Sequence, residues 1–223
     1  METLNFQFNG HNATVIRPDN PNGKWIWKTE FLHAFDEAER KLCDMGYTRV
    51  YYSVSDKFGS FDAIRKMHNF YRYVIKEFNL SETCILFGFS RGGLYAFNFA
   101  ITYPEAVDKV YLDAPVLDMR TWPPKKSRDR ELLYEEFGLT EETLEWFKGH
   151  PIDNMEEFFA LKIPLLLVAG GADEVVPFPQ NAGRMLEFCK ERGIEITSFV
   201  KPECGHHPHS LTDVSPIIDF AEA

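Results

Sequence analysis

The sequence predicts an α/β fold: a mostly parallel sheet with helices on both faces. Apolar runs of strand length alternate with amphipathic stretches of helix length. The strand-like runs are apolar almost throughout, the pattern of strands covered on both sides rather than on one. A length of 223 residues fits one domain and lets the chain bury most of the surface it exposes when unfolded.

The elements follow in order. "ATVIR" (Ala13–Arg17) reads as a strand. "KTEFLHAFDEAERKLCDMG" reads as a helix, with Phe31, Leu32, Phe35, Ala38 and Leu42 at helical spacing and Gly46 as its stop. "RVYYSV" (Arg49–Val54) is β-branched and aromatic, hence a strand, and "DAIRKMHNFYRYVIKEF" is the next helix. "TCILFGF" is a buried strand, "RGGLYAFNFAITYP" a helix stopped by Pro104, and "KVYLDAP" a strand. After an interruption, "IPLLLVAGG" is a strand, "NAGRMLEFCKERG" a helix and "IEITSFV" the last strand. The interruption runs from Val116 to Leu161 without a convincing strand. It reads as a helical, cap-like insertion over the carboxyl edge of the sheet, where open α/β sheets bind ligands.

Composition removes some classes of function. A net charge of −10 opposes nucleic-acid binding, which needs clustered Lys and Arg. The one basic run, Lys125 to Arg128, reads as a solvated loop. No apolar stretch is long enough to cross a bilayer. The N-terminus lacks the basic start and apolar middle of a signal peptide, so the chain reads as cytoplasmic, or as the trimmed form of a secreted protein. Cys43, Cys84, Cys189 and Cys204 form no CxxC pair and read as small apolar residues in a reducing compartment. Twenty phenylalanines predict a bulky aromatic core or a lined pocket.

The chemistry centres on "GFSRG", Gly88 to Gly92. It follows a predicted strand and opens a predicted helix, the context of a G-x-S-x-G nucleophile elbow. Side chains two residues before and after the serine would collide in so sharp a turn, hence Gly88 and Gly92. The turn presents Ser90 Oγ and places the Arg91 backbone N–H at a helix N-terminus, where it can bind a developing oxyanion.

A serine hydroxyl needs a base, and the base needs an orienting acid. On this kind of sheet they follow in the order serine, acid, histidine. "LLLVAGGADEVVP" supplies Asp173 after a strand, with Glu174 adjacent and Asp113 as the alternative acid. "KPECGHHPHS" supplies His206, with His207 as the alternative base and His209 as a residue that packs the loop. These three histidines beside Cys204 invite a metal reading. No carboxylate or cysteine pair shows complementary spacing, so neither metal nor cofactor is assigned. The other histidines, His11, His33, His68 and His150, carry no signal. A second oxyanion donor is expected from the loop after an early strand, read as "RPDNPNGKWIWKTEF". Its candidates are the N–H groups of Trp25 and Ile26, with Trp25 and Trp27 read either as core residues or as partial substrate contacts.

These motifs resemble the α/β-hydrolase superfamily, and within it a group of small bacterial hydrolases and esterases. The resemblance runs from about Ala13 to Phe220. It rests on "GKWIWKTEF", "GFSRGGLYAFNFA", "YLDAPVLDMRTWP", "GHPIDN", "GGADEVVPF" and "GHHPHSL" followed by "PIIDF". Members of that group often carry arginine where this chain has Lys28. The resemblance implies the α/β-hydrolase fold and a serine hydrolase with Ser90, Asp173 and His206 as its triad.

The expected reaction is cleavage of a small-molecule carboxylic ester through an acyl-enzyme, with no cofactor and with neither nucleic acid nor membrane as partner. A short acyl group on a carbohydrate is the expected substrate, because two tryptophans near the site would suit a sugar ring. A peptidase or acyl-peptide hydrolase using the same triad is the alternative, and a non-catalytic binding protein on the same fold is the second.

Overall fold

The computed structural model describes all 223 residues. Eight strands form one sheet: β1 (Glu2–Phe8), β2 (His11–Arg17), β3 (Trp25–Lys28), β4 (Thr48–Tyr52), β5 (Cys84–Phe89), β6 (Val107–Asp113), β7 (Leu165–Gly170) and β8 (Thr197–Lys201). Their order is β1-β2-β4-β3-β5-β6-β7-β8. The β1–β2 and β2–β4 pairs are antiparallel, and every pair from β4 through β8 is parallel. The fold is that of an α/β-hydrolase, as the resemblance implies.

Two strands were not expected. β1 and β2 form a hairpin through Asn9–Gly10, both at positive φ (48° and 80°), the arrangement that a two-residue turn between twisted strands favours. β3 is the more consequential. "WIWK" lies between β4 and β5, and all four residues are buried. The expected helix from Lys28 to Gly46 is therefore corrected to α1 (Glu37–Asp44). Its first half is the end of β3 and a loop in which Phe31 (φ 58°) and Phe35 (φ 50°) adopt left-handed backbone. A helix cannot pass through such residues.

Helices cover both faces. Met67 and Phe70 of α2 (Phe61–Glu77), Phe97 and Phe99 of α3 (Gly92–Thr102) and Met185 of α7 (Ala182–Arg192) join the larger core, with Trp25 and Trp27 from the sheet. On the other face Ala38 and Leu42 of α1 meet Ile217 and Ala221 of α8 (Ser215–Glu222) over Phe87, Tyr111 and Val168. The aromatic expectation is met by core rings: Trp27 packs edge-on against Phe70 and Phe99, and Phe97 stacks on Phe158. All four cysteines are free thiols.

Between β6 and β7 the chain holds α4 (Arg128–Phe137), α5 (Glu141–Leu144) and α6 (Met155–Ala160), and no strand. Ser127 caps α4 by accepting from the Arg130 N–H, and Gly138 ends it in a left-handed conformation. Arg130 is buried and donates to the carbonyls of Met119, Arg120 and Pro123, which folds the segment back on itself.

One buried ion pair ties β3 to α1. The Lys28 ammonium meets Glu39, lies 3.3 Å from the Phe89 ring centroid and donates to the Ala34 carbonyl. Burial lowers the Lys28 pKa, and Glu39 opposes that shift. Removing one member strands a buried charge, whereas replacing both removes the desolvation cost along with the attraction. Glu39→Leu is expected to cost about 3–5 kcal/mol in urea unfolding, and the double replacement Lys28→Met/Glu39→Leu to recover most of that loss.

Candidate active site

Five parallel strands, β3 and β5 to β8, deliver their following loops to one edge of the sheet. Ser90 directly follows β5 and sits at φ 50°, a backbone region that costs an ordinary residue energy and persists only when its surroundings hold it. Here its N–H donates to the Asp113 carbonyl at 2.9 Å. Its own carbonyl accepts from Gly93 N–H at 3.0 Å and from Val116 N–H at 2.9 Å.

The glycines permit this turn. A Cβ on Gly88 would lie 2.8 Å from Ala96 Cβ, and one on Gly92 2.8 Å from Thr29 Oγ1. Gly93, outside the five-residue motif, is as constrained: its Cβ would lie 2.6 Å from that of Pro115.

Asp173 and His206 arrive from the loops after β7 and β8. These loops run so close that a Cβ on Gly170 would lie 2.1 Å from the Gly205 carbonyl oxygen, and Ala172 N–H donates to the Cys204 carbonyl at 2.9 Å. Asp173 Oδ1 accepts from the N–H groups of Val175 and Val176, each at 2.9 Å. That fixes Oδ2 toward His206 Nδ1, 2.7 Å away, and His206 Nε2 lies 2.9 Å from Ser90 Oγ. All three side chains are buried. With its Nδ1–H donated to the carboxylate, the imidazole presents a lone pair on Nε2 to the serine hydroxyl. The arrangement can take the Ser90 proton as Oγ attacks a carbonyl.

The alternatives sort themselves by contact. Glu174 is exposed. Asp113 is buried and accepts from Tyr111 Oη at 2.6 Å, from Ser210 N–H at 2.7 Å and from His209 Nδ1 at 2.8 Å. His207 is exposed, and its ring lies parallel to Phe35 with centroids 5.7 Å apart. Desolvation and the adjacent imidazoles lower its pKa. The remaining histidines lie in other surroundings: His150, for example, is buried against the Leu144 carbonyl, and His68 stacks on Tyr103.

The Arg91 N–H, at the start of α3, donates to no protein acceptor. Its guanidinium is occupied, with Nε and Nη2 at 3.2 and 3.1 Å from Glu30 Oε2 and Nη1 at 3.4 Å from Asp56. Burial raises the Glu30 pKa, and Arg91 pulls it back toward the ionised form.

Trp25 and Ile26 are corrected. They begin β3, where Ile26 is level with Ile85, five residues before Ser90 in the neighbouring strand. At roughly 3.3 Å per residue this places them near the opposite edge of the sheet. Trp25 and Trp27 stack on each other in the core, and Trp25 Nε1 donates to the Ser81 carbonyl. The loop after an early strand is instead Thr29–Asp36. It passes beside the elbow, with Glu30 N 3.5 Å from the Cβ position of Gly92, and the N–H groups of Glu30 and Phe31 have no protein acceptor. The same loop exposes Phe31 and Phe35. The sequence signal for it was the apolar "WIW", a strand too short to stand out beside the polar turn before it.

The prolyl oligopeptidase family model matches residues 62–221, which includes Ser90, Asp173 and His206. The chain belongs to the prolyl oligopeptidase family. That membership places it among the serine hydrolases built on the α/β-hydrolase fold. No curated protein sequence matches it significantly. Solved structures share the fold at low identity. The acylaminoacyl peptidase of Pyrococcus horikoshii is 15% identical with a TM-score of 0.71 over 92% of this chain, which spans 37% of that larger protein. The fluorophosphonate-binding serine hydrolase F of Staphylococcus aureus is 14% identical with a TM-score of 0.73, covering 98% of this chain and 93% of its own. A candidate esterase from the same organism is 14% identical with a TM-score of 0.70, covering all of this chain and 82% of its own.

The packing of the family's elbow in this chain gives a stability test. Gly88→Ala and Gly93→Ala are expected to lose about 1–3 kcal/mol, the range for overpacking a tight site. Gly205→Ala, whose Cβ would meet nothing closer than the Ala172 carbonyl oxygen at 3.8 Å, is expected to stay within about 0.5 kcal/mol of the parent. Urea unfolding of the three variants measures the contrast.

Proposed function

We propose that this hydrolase cleaves carboxylic esters through an acyl-enzyme on Ser90. The observation that carries the reading is the unbroken chain from Asp173 Oδ2 through His206 to Ser90 Oγ, with heavy-atom separations of 2.7 and 2.9 Å. His206 takes the serine proton during attack and returns it to the leaving alcohol. Asp173 holds the tautomer and stabilises the imidazolium. The Arg91 N–H and an N–H from Glu30 or Phe31 bind the oxyanion. Water then repeats the sequence with His206 as base and releases the acid. No step calls for a metal or an organic cofactor.

The reason for favouring an acylated carbohydrate was a pair of tryptophans at the site, and Trp25 and Trp27 are core residues. The proposal is therefore a carboxylic ester without a specified alcohol. A second reading has one specific observation behind it: the family takes its name from a peptidase. An amide uses the same groups but needs His206 to protonate a poorer leaving group.

Matched nitrophenyl esters and aminoacyl nitroanilides separate the two readings. The ester reading expects faster turnover of esters, with nitrophenyl acetate ahead of long-chain esters. Nitroanilide turnover at a comparable kcat/KM would favour the peptidase. Ser90→Ala is expected to abolish either activity. Asp173→Asn is expected to lower kcat by about 10⁴-fold, through the wrong tautomer, with KM little changed. Glu174→Gln is expected to leave both constants near the parent's. Equal losses in the two acid variants would remove Asp173 from its proposed role.

A further inference from the structure

The triad uses one of three histidines that converge at the same place. One ring nitrogen from each of His206, His207 and His209 lies within 4.8 Å of the other two. The three ring centroids are each 4.9 Å apart, with interplanar angles of 70°, 79° and 90°. The imidazoles therefore stand edge-on around a common centre instead of stacking.

Two of them are oriented in the same way. Asp173 holds His206 through Nδ1, and Asp113 holds His209 through Nδ1 at 2.8 Å. A carboxylate on one ring nitrogen fixes the tautomer and leaves the lone pair on the other, which is the usual support of a metal-binding histidine. Serine activation needs only the first of these pairs. Asp113 is itself locked by Tyr111 Oη and Ser210 N–H, so His209 is rigidly placed. Yet His209 Nε2 has no hydrogen-bond partner, although the residue is only 6% exposed, and the His207 ring makes no hydrogen bond at all. Two imidazoles with unassigned nitrogens thus flank the His206 ring, one of them open to solvent.

We propose that His206, His207 and His209 form a binding site for a borderline divalent cation such as Zn²⁺, and that its occupation switches the hydrolase off. Three histidine ligands leave a fourth position for water. Bonds of about 2.0–2.1 Å place tetrahedral ligand nitrogens about 3.3 Å apart, so nitrogens within 4.8 Å of one another need close by no more than about 1.5 Å. His206 contributes its Nε2 lone pair to the cation and no longer accepts from Ser90 Oγ. The exposed His207 gives the cation its route in. The binding site stands on the geometry of the three rings, while the inhibition rests in addition on the serine-hydrolase reading.

The test uses the full chain with metal alone as the probe. Calorimetric titration of the wild type with Zn²⁺ is expected to show one tight site. Co²⁺ in its place is expected to give the intense visible bands of a low-coordinate complex. His207→Gln, at an exposed position outside the triad, is expected to keep basal ester turnover and to weaken metal binding at least tenfold. His209→Gln is expected to weaken it similarly. The rate of fluorophosphonate labelling is expected to fall with Zn²⁺ occupancy in the wild type and to recover with EDTA. The half-inhibitory Zn²⁺ concentration should rise at least tenfold in His207→Gln. Absence of a stoichiometric site, or the same Zn²⁺ dependence in both histidine variants as in the wild type, would overturn the proposal. Tight binding without any slowing of labelling would overturn the switch, because His206 Nε2 would then still serve Ser90. If the wild type proved inert toward esters and the probe alike, calorimetry of wild type against His207→Gln would still decide the metal site.

Discussion

The left-handed backbone at Ser90 is the constraint on which the rest of this site depends. It lifts a serine off the end of a fully buried strand, and a helix begins two residues later. Nothing about serine favours that conformation; it is enforced from outside. The Asp113 carbonyl and the Val116 N–H hold the turn from β6, and the Gly93 N–H holds it from α3. Three neighbouring glycines are small because Ala96, Thr29 and Pro115 fill the space where side chains would go. The hydroxyl position is thus set by the core, and the loops need only bring a base to it.

They do so by leaning on each other. The loops after β7 and β8 pack with Gly170 against the Gly205 carbonyl. The Asp173 carboxylate spends one oxygen on two backbone N–H groups, which leaves the other for His206. A second carboxylate, Asp113, performs the same service for His209 on the neighbouring strand end. The histidine loop is therefore pinned at two points, each by an acid that ends or follows a parallel strand. The Glu39–Lys28 pair adds a tie between α1 and the strand that leads into the Thr29–Asp36 loop.

β5, β6 and β7, the centre of the parallel half of the sheet, are legible because their runs are apolar and largely buried. The elbow was legible for a local reason: Gly, Ser and Gly at fixed spacing after "TCILF" have few other uses. Asp173 and His206 are readable from strand ends and chain order, and in the fold it is His206 that reaches Ser90 Oγ while His207 is exposed. β3 was not legible, because four residues cannot display a period, and the Phe31, Leu32, Phe35 spacing that follows imitates a helix. The error carried forward. Reading "WIWK" as loop put two tryptophans at the site and suggested a sugar, whereas the strand buries them near the other edge of the sheet. The Asn9–Gly10 dipeptide carries a strong turn signal, and it joins β1 to β2 in the fold. The arginine side chain after the serine is tied by a buried glutamate 61 positions away, beyond the reach of any local pattern.

The central claim is that Ser90 carries the acyl group between the two halves of the reaction. Rapid acid quenching during hydrolysis of nitrophenyl acetate, followed by intact-mass and peptide analysis, tests it directly. The account predicts a protein species heavier by one acetyl group, with the acetyl on the peptide that contains Ser90 and absent from Ser90→Ala. Turnover with no acetylated species at any quench time, or with the acetyl on another residue while Ser90→Ala keeps its rate, would contradict it.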